Sequence, residues 1–154
     1  MRSSPAAPPA VLFVCTLNYY RSRFAHLYFN HLARGTGLRA ESRGLVVDRS
    51  RMQGMSYYAG QALQVVGVDV TEGDKRDPMQ LTELDIRQAE RLIALCRSEH
   101  EPVVAARFPT YRDRFEYWDV LDIDARHTNA ALGRDCRRQV ERLWMDLRRD
   151  VGVG

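Results

Sequence analysis

The chain's 154 residues are the size of one domain, and at that length about 69% of the unfolded surface can be buried, so a core needs no disulfide or metal staple. Hydrophobic residues at 45% and charged residues at 28% exclude wholesale disorder, and no apolar run approaches the roughly 18 residues of a membrane span. A net charge of +3 spread along the chain is not the footprint of a nucleic-acid binder, and three cysteines are too few and too odd a number for a disulfide framework, which points to a reducing cytoplasm.

Residues 1–10 read as a flexible arm ahead of a single domain over 11–154. Val11-Leu12-Phe13-Val14 is a short apolar run of the kind found in a strand buried on both faces. Ala25, Tyr28, Phe29 and Leu32 follow at i, i+3, i+4, i+7, which predicts a helix ending near Gly35 and Gly37. Residues 38–42 predict a second strand. Ser56 can cap a helix carrying Ala59, Ala62, Leu63 and Val66, with Gly67 as its stop. Thr82 with Asp85 marks another helix start. Leu92 to Leu95 predicts a third strand, Ser98 with Glu101 a further cap that Pro102 limits, and Phe115 to Val120 a fourth strand. Leu132, Cys136, Val140, Leu143 and Leu147 share one stripe of the last helix, with Arg134, Arg137, Arg138, Arg142, Arg148 and Arg149 largely off it. Strands alternating with helices give an α/β fold, a parallel sheet covered on both faces. Ligands of such sheets sit beyond the carboxyl ends of the strands, so the loop after the first strand is the first place to look.

That loop reads Cys15-Thr16-Leu17-Asn18-Tyr19-Tyr20-Arg21-Ser22. A Cys and an Arg separated by five residues is a weak motif alone, since Cys136 and Arg142 share the spacing. Context separates the two. Cys136 falls mid-stripe in a helix, the place of a small buried hydrophobe. Cys15 falls where a strand ends and a helix begins, where successive N–H groups and the helix dipole can wrap an anion and favour a thiolate. Arg21, at the helix start, can grip two phosphate oxygens at once.

The first strand, this loop and its helix resemble the low-molecular-weight protein tyrosine phosphatases, a family shared with thioredoxin-coupled arsenate reductases. The likeness extends along the chain: Ser42-Arg43-Gly44 falls where the family has Ser-Ala-Gly, Leu92-Ile93-Ala94-Leu95 falls on its third strand, and Trp118-Asp119-Val120-Leu121-Asp122 on its acid loop. The resemblance implies a four-stranded parallel sheet flanked by helices on both faces, and a phosphomonoesterase needing no cofactor or metal. In it Cys15 is the nucleophile that forms a phosphocysteine, Arg21 binds the phosphoryl group, and Ser22 hydrogen-bonds the thiolate. Thr16, Leu17, Asn18, Tyr19 and Tyr20 form the substrate-binding loop, which Asn18 holds in shape and Ser42 braces. The partner is a phosphorylated protein or a small phosphomonoester, met in the cytoplasm by a monomer or weak homodimer, with no nucleic acid and no membrane.

A leaving alkoxide or phenoxide needs a proton, so a carboxylic acid must face the loop. Asp119, Asp122 and Asp124 are candidates, and Asp122 aligns with the family's acid when Trp118 is held in register. The sequence also departs from the family. Leu17 stands for its usual Gly, Tyr20 for its second loop cysteine, and Ile123 for the Pro of the acid loop. Tyr19, Tyr57 or Tyr58 can supply a substrate wall. Two alternatives follow: a catalytically impaired phosphate- or phosphoprotein-binding module in which Leu17 spoils the loop, and an arsenate reductase in which Cys96 joins a thiol relay. None of His26, His31, His100 and His127 has metal-ligand spacing, and His26 reads as an ordinary helix histidine.

Overall fold

The computed structural model describes residues 7–122 and 128–150. Part of the expected arm, and with it Asp124, Ile123 and His127, lies outside the described residues. Four strands, β1 (Val11–Cys15), β2 (Ala40–Gly44), β3 (Arg91–Ala94) and β4 (Phe115–Tyr117), form one parallel sheet in the order β2-β1-β3-β4. The apolar run thus occupies an interior position. Val11, Phe13 and Cys15 face one core with α1 (Arg21–Leu32), α2 (Tyr57–Val65) and α5 (Asn129–Asp150). Leu12 and Val14 face the other with α3 (Glu83–Gln88) and α4 (Arg97–Arg107). Alternation of side chains along a strand is what divides the two.

Local chemistry sets the helix ends. The Ser56 side chain accepts from the N–H groups of Tyr58 and Ala59, and the chain leaves α2 through Gly67 at φ +83°. Thr82 and Asp85 form a reciprocal capping box. The stripe of α5 buries Leu132, Cys136, Val140 and Leu143 as its spacing predicts, and Trp144 adds an edge contact to Phe29 at 5.8 Å between ring centroids.

Three boundaries differ from the sequence expectation. β2 begins at Ala40 and runs to Gly44, because that register sets its residues beside Val11–Cys15. β4 ends at Tyr117, although Trp118 and Val120 still donate to the carbonyls of Ala94 and Leu95 and keep the following chain beside β3. Ser98 caps nothing: α4 starts at Arg97, and the N–H of its N-cap, Cys96, goes to His100 Nδ1 at 3.0 Å. Pro102 lies inside α4, where it has no N–H to offer the Ser98 carbonyl.

One glycine fixes how closely β2 approaches the loop after β1. A Cβ on Gly44 would lie 3.0 Å from the Leu17 carbonyl carbon, 3.0 Å from the Thr16 oxygen and 2.6 Å from a Val47 methyl. No other residue fits there without moving backbone.

Candidate active site

Residues 16–20 carry the chain from the end of β1 to the start of α1. Most carbonyls from Cys15 to Tyr20 are tied to N–H groups outside the loop: Cys15 and Thr16 accept from Leu45 and Val46, Tyr19 from Ser56, and Tyr20 from Phe24. Asn18 sits in the left-handed region at φ 56°, which Asn tolerates better than most residues. Its carbonyl accepts from Arg23 Nη1 at 3.3 Å. The Cys15 thiol, buried at the strand end, lies 3.0 Å from Ser22 Oγ in the first turn of α1.

Beneath the loop is a closed polar base. Asn18 Nδ2 donates to Ser22 Oγ at 2.8 Å and to Ser42 Oγ at 3.1 Å, while its Oδ1 accepts from the Met79 N–H at 3.0 Å and from Arg76 Nη1 at 3.2 Å. Ser42 Oγ lies 2.9 Å from His26 Nδ1. Burial pushes His26 down to about 4, so the ring is neutral near pH 7. Ser42 Oγ already accepts from Asn18 Nδ2 and Arg76 Nη2, which leaves its own proton for Nδ1. Arg76 Nη2 pairs with Glu41 at 2.8 Å. Burial would raise the Glu41 carboxyl, but His26, the Ser42 N–H and Arg76 outweigh it and hold it at about 2. Arg23 is wholly buried, donating to the carbonyls of Asn18, Gly54 and Asp74 and leaving Nε without a partner among the described residues. Burial, and then the nearby Arg76, pull its guanidinium down to about 10.

In front of the loop is a second cluster. Arg21 Nη1 and Nη2 meet the two carboxylate oxygens of Glu99 at 2.8 and 2.7 Å, and Nη1 also donates to the Val120 carbonyl at 3.0 Å. Thr16 Oγ1 donates to the same carboxylate at 2.7 Å. Because His100 Nδ1 takes the Cys96 N–H, its Nε2 carries the proton and faces Thr16 Oγ1 at 3.2 Å. Burial works against the charge on Glu99, yet hydrogen bonds from His100, Arg21 and Thr16 hold its carboxyl well below the ordinary range. Asp122 Oδ2 lies 3.7 Å from Arg21 Nη2.

These groups open into a cavity of about 410 Å³. Cys15, Thr16, Leu17, Tyr19, Tyr20, Arg21 and Asp122 line it, with Met52, Tyr58, Glu99 and Leu132. Asn18, Ser22 and Ser42 lie fully buried behind it, so they shape the loop rather than touch a ligand. Asp119 pairs with Cys96 in an isolated bridge, and Tyr57 points away, its hydroxyl accepting from Gln61. Neither lines the cavity. His26, read from the sequence as an ordinary helix histidine, is buried and hydrogen-bonded to Ser42. Glu99, Arg76 and Arg23 went unread in the sequence, and His100 was read only as lacking metal-ligand spacing. The rule that ligands gather at strand carboxyl ends could have flagged Glu99 and His100, which follow β3; no local pattern marks Arg23 or Arg76.

No protein-family model matches the chain, and no curated protein gives a significant match. Solved structures do. The arginine phosphatase YwlE from Geobacillus stearothermophilus aligns with a TM-score of 0.74 at 22% identity, over 93% of this chain and 95% of that one. A low-molecular-weight protein tyrosine phosphatase from T. tengcongensis aligns with a TM-score of 0.71 at 23% identity, over 91% and 97%. The fold is that of the low-molecular-weight protein tyrosine phosphatases. A thioredoxin-dependent arsenate reductase from Corynebacterium glutamicum shares it, with a TM-score of 0.68 at 20% identity, over 96% of this chain and 65% of that one.

Within the low-molecular-weight phosphatase fold, the three thiols are placed unequally. Cys15 packs in the same cluster as Ile93 and Leu95, so Cys96, one residue further, falls out of phase with it. Cys96 Sγ instead meets Ser98 Oγ at 3.4 Å. Burial drives the Cys136 thiol far above its ordinary range and leaves it inert. Only Cys15 lines the cavity.

Proposed function

We propose that this chain is a phosphomonoesterase working through a phosphocysteine on Cys15. The observation that carries the reading is one cavity holding a Cys15 thiol 3.0 Å from Ser22 Oγ together with Arg21 and Asp122. Asn18 already donates to Ser22 Oγ, which leaves the Ser22 proton free to point at sulfur and support a thiolate. With most loop carbonyls tied to groups outside the loop, its N–H edges are available to phosphate oxygens, and the Arg21 fork adds charge. Cys15 sulfur attacks phosphorus as the ester oxygen leaves, taking its proton from Asp122. Asp122, now a carboxylate, removes a proton from water as that water displaces the Cys15 thiolate and releases phosphate. No metal enters these steps.

The substrate is a phosphorylated protein or a small phosphomonoester, and the aromatic and apolar walls from Tyr19, Tyr20, Tyr58 and Leu132 suit an aryl or polypeptide leaving group. The chain acts in the cytoplasm as a monomer or weak dimer. A second reading, a phosphate-binding module without turnover, draws on the Glu99 carboxylate, which holds the face of Arg21 that phosphate would seek.

Hydrolysis of p-nitrophenyl phosphate, with and without EDTA, decides between them. Turnover unaffected by EDTA is expected, and Cys15→Ser should reduce it by roughly 10⁴-fold or more while phosphate binding remains. Phosphate binding by the wild-type chain without turnover would establish the second reading.

A further inference from the structure

A second cavity of about 450 Å³ opens beside the first, between α2 and α5. Its walls are mostly apolar, from Tyr20, Tyr58, Ala62, Val65 and Val66, with Arg134 at the rim. Tyr20, Tyr58 and Asn129 line both cavities, so the two adjoin across one shared wall. That wall is fixed in place. The Tyr20 hydroxyl donates to the Asn129 carbonyl at 3.1 Å, and a Cβ on Gly133 would come within 3.2 Å of its oxygen and 3.3 Å of the Ala62 methyl. A glycine in the interior of α5 costs helix stability of about 1 kcal/mol relative to alanine, and here it makes room for the tyrosine that divides the two spaces.

We infer that this groove receives the polypeptide flanking the phosphorylated residue of a protein substrate, with an apolar side chain in the groove and an acidic one toward Arg134. The inference rests on the phosphatase reading and narrows it from phosphomonoesters in general to phosphoproteins. Three observations select this occupant. The groove lies directly beside the phosphate cavity across the Tyr20 wall, so a chain whose phosphorylated side chain fills the first passes over the second. The first cavity alone has room for a phosphorylated side chain, which leaves a small phosphomonoester no use for the second. The cationic rim beside apolar walls complements an apolar residue with an acidic neighbour. Val65, 80% exposed at the end of α2, presents an apolar surface that such an occupant would cover.

The test compares kcat/KM for phosphotyrosine peptides in which leucine replaces glycine at each of three positions on either side of the phosphorylated residue. One position should show roughly a tenfold or greater gain from leucine, the scale of a few buried methylenes. Val65→Glu should abolish that gain, and Arg134→Glu should lower the gain from an adjacent aspartate. Both residues are exposed and lie outside the phosphate cavity, so p-nitrophenyl phosphate turnover should stay within about twofold. If that small substrate is hydrolysed but leucine gives no gain anywhere, or the gain survives Val65→Glu, the groove has no such role and the phosphatase reading stands. If the wild-type chain does not hydrolyse p-nitrophenyl phosphate, the reading and the inference fall together.

Discussion

Behind the phosphate loop and in front of it lie two polar clusters built on opposite principles. Behind, Asn18 and Ser42 are wholly buried, and both donor hydrogens and the acceptor oxygen of the Asn18 amide are engaged. In front, Arg21 is buried but its carboxylate partners are not: the Glu99 side chain is 32% exposed and that of Asp122 is 60%. A buried group with every donor and acceptor engaged has one low-energy arrangement, since displacing it loses bonds it cannot replace from water. Exposed carboxylates can exchange a protein partner for water or for a ligand at little cost. The base therefore sets the shape of the loop, and the rim carries the groups that change partner during a reaction.

The largest effect that sharpens this contrast belongs to the rim. Asp122→Ala should lower kcat by roughly 10²- to 10⁴-fold on alkyl phosphates, whose leaving groups need a proton. It should act far less on p-nitrophenyl phosphate, whose leaving group departs unaided. Rates measured over a series of leaving-group pKa values read the difference directly. A loss independent of leaving group would assign Asp122 to holding Arg21, making the rim a structural cluster like the base.

The same contrast explains what the sequence revealed. The fold class came from local patterns: the buried run at Val11–Val14, the spacing of Leu132, Cys136, Val140 and Leu143, and the Thr82–Asp85 capping box all act within a few residues. Cys15 and Arg21 were legible as candidates because strand, loop and helix are consecutive, whereas Ser22 and Asp122 came forward only through the family resemblance, Asp122 with Trp118 held in register. The partners that complete each cluster are distant in the chain. Glu99 meets Thr16 and Arg21 across a parallel crossover, and Arg76 reaches Asn18 from a loop with no periodic pattern. β2 was shifted because its Ala-Glu-Ser-Arg-Gly has little apolar content, its register being set by pairing with β1 and by Gly44's contact with the loop.

A smaller effect probes the base through pH. Burial holds His26 at about 4 in the folded chain, against about 6.5 when unfolded. The unfolded chain therefore takes up this proton first, and stability falls as pH drops from about 6.5 to about 4, by at most about 3 kcal/mol. Glu41, held at about 2, adds a separate loss below about pH 4.5 as the unfolded carboxylate protonates before the folded one. Urea unfolding at pH 7.5 and pH 4.5 should show the first loss, and His26→Gln should flatten it. Equal stability of the wild-type chain at both pH values would mean that the base is open to water, and the contrast between the clusters would collapse.

The smallest effect is the most discriminating, because Glu99 touches both sides of the question. Its carboxylate fixes the Arg21 fork, as a base residue would, yet it also places a negative charge in the cavity a phosphate dianion must enter. Glu99→Gln keeps the shape and one acceptor oxygen while removing the charge. If the rim exchanges partners, phosphate should bind the variant roughly threefold to tenfold more tightly, the scale of one charge–charge interaction of about 1 kcal/mol near a protein surface. The kcat for p-nitrophenyl phosphate should fall in the same variant, because residue 99 then holds Arg21 by one hydrogen bond where it had two, beside the bond to the Val120 carbonyl. The two changes oppose each other in kcat/KM, so each must be measured: product inhibition by phosphate for the first, saturating turnover for the second. Weaker phosphate binding with an unchanged kcat would place Glu99 with the base, a fixture needed to form the loop at all. Tighter binding with a lower kcat places it at the rim, where one carboxylate orients Arg21 between turnovers and yields to the substrate within them.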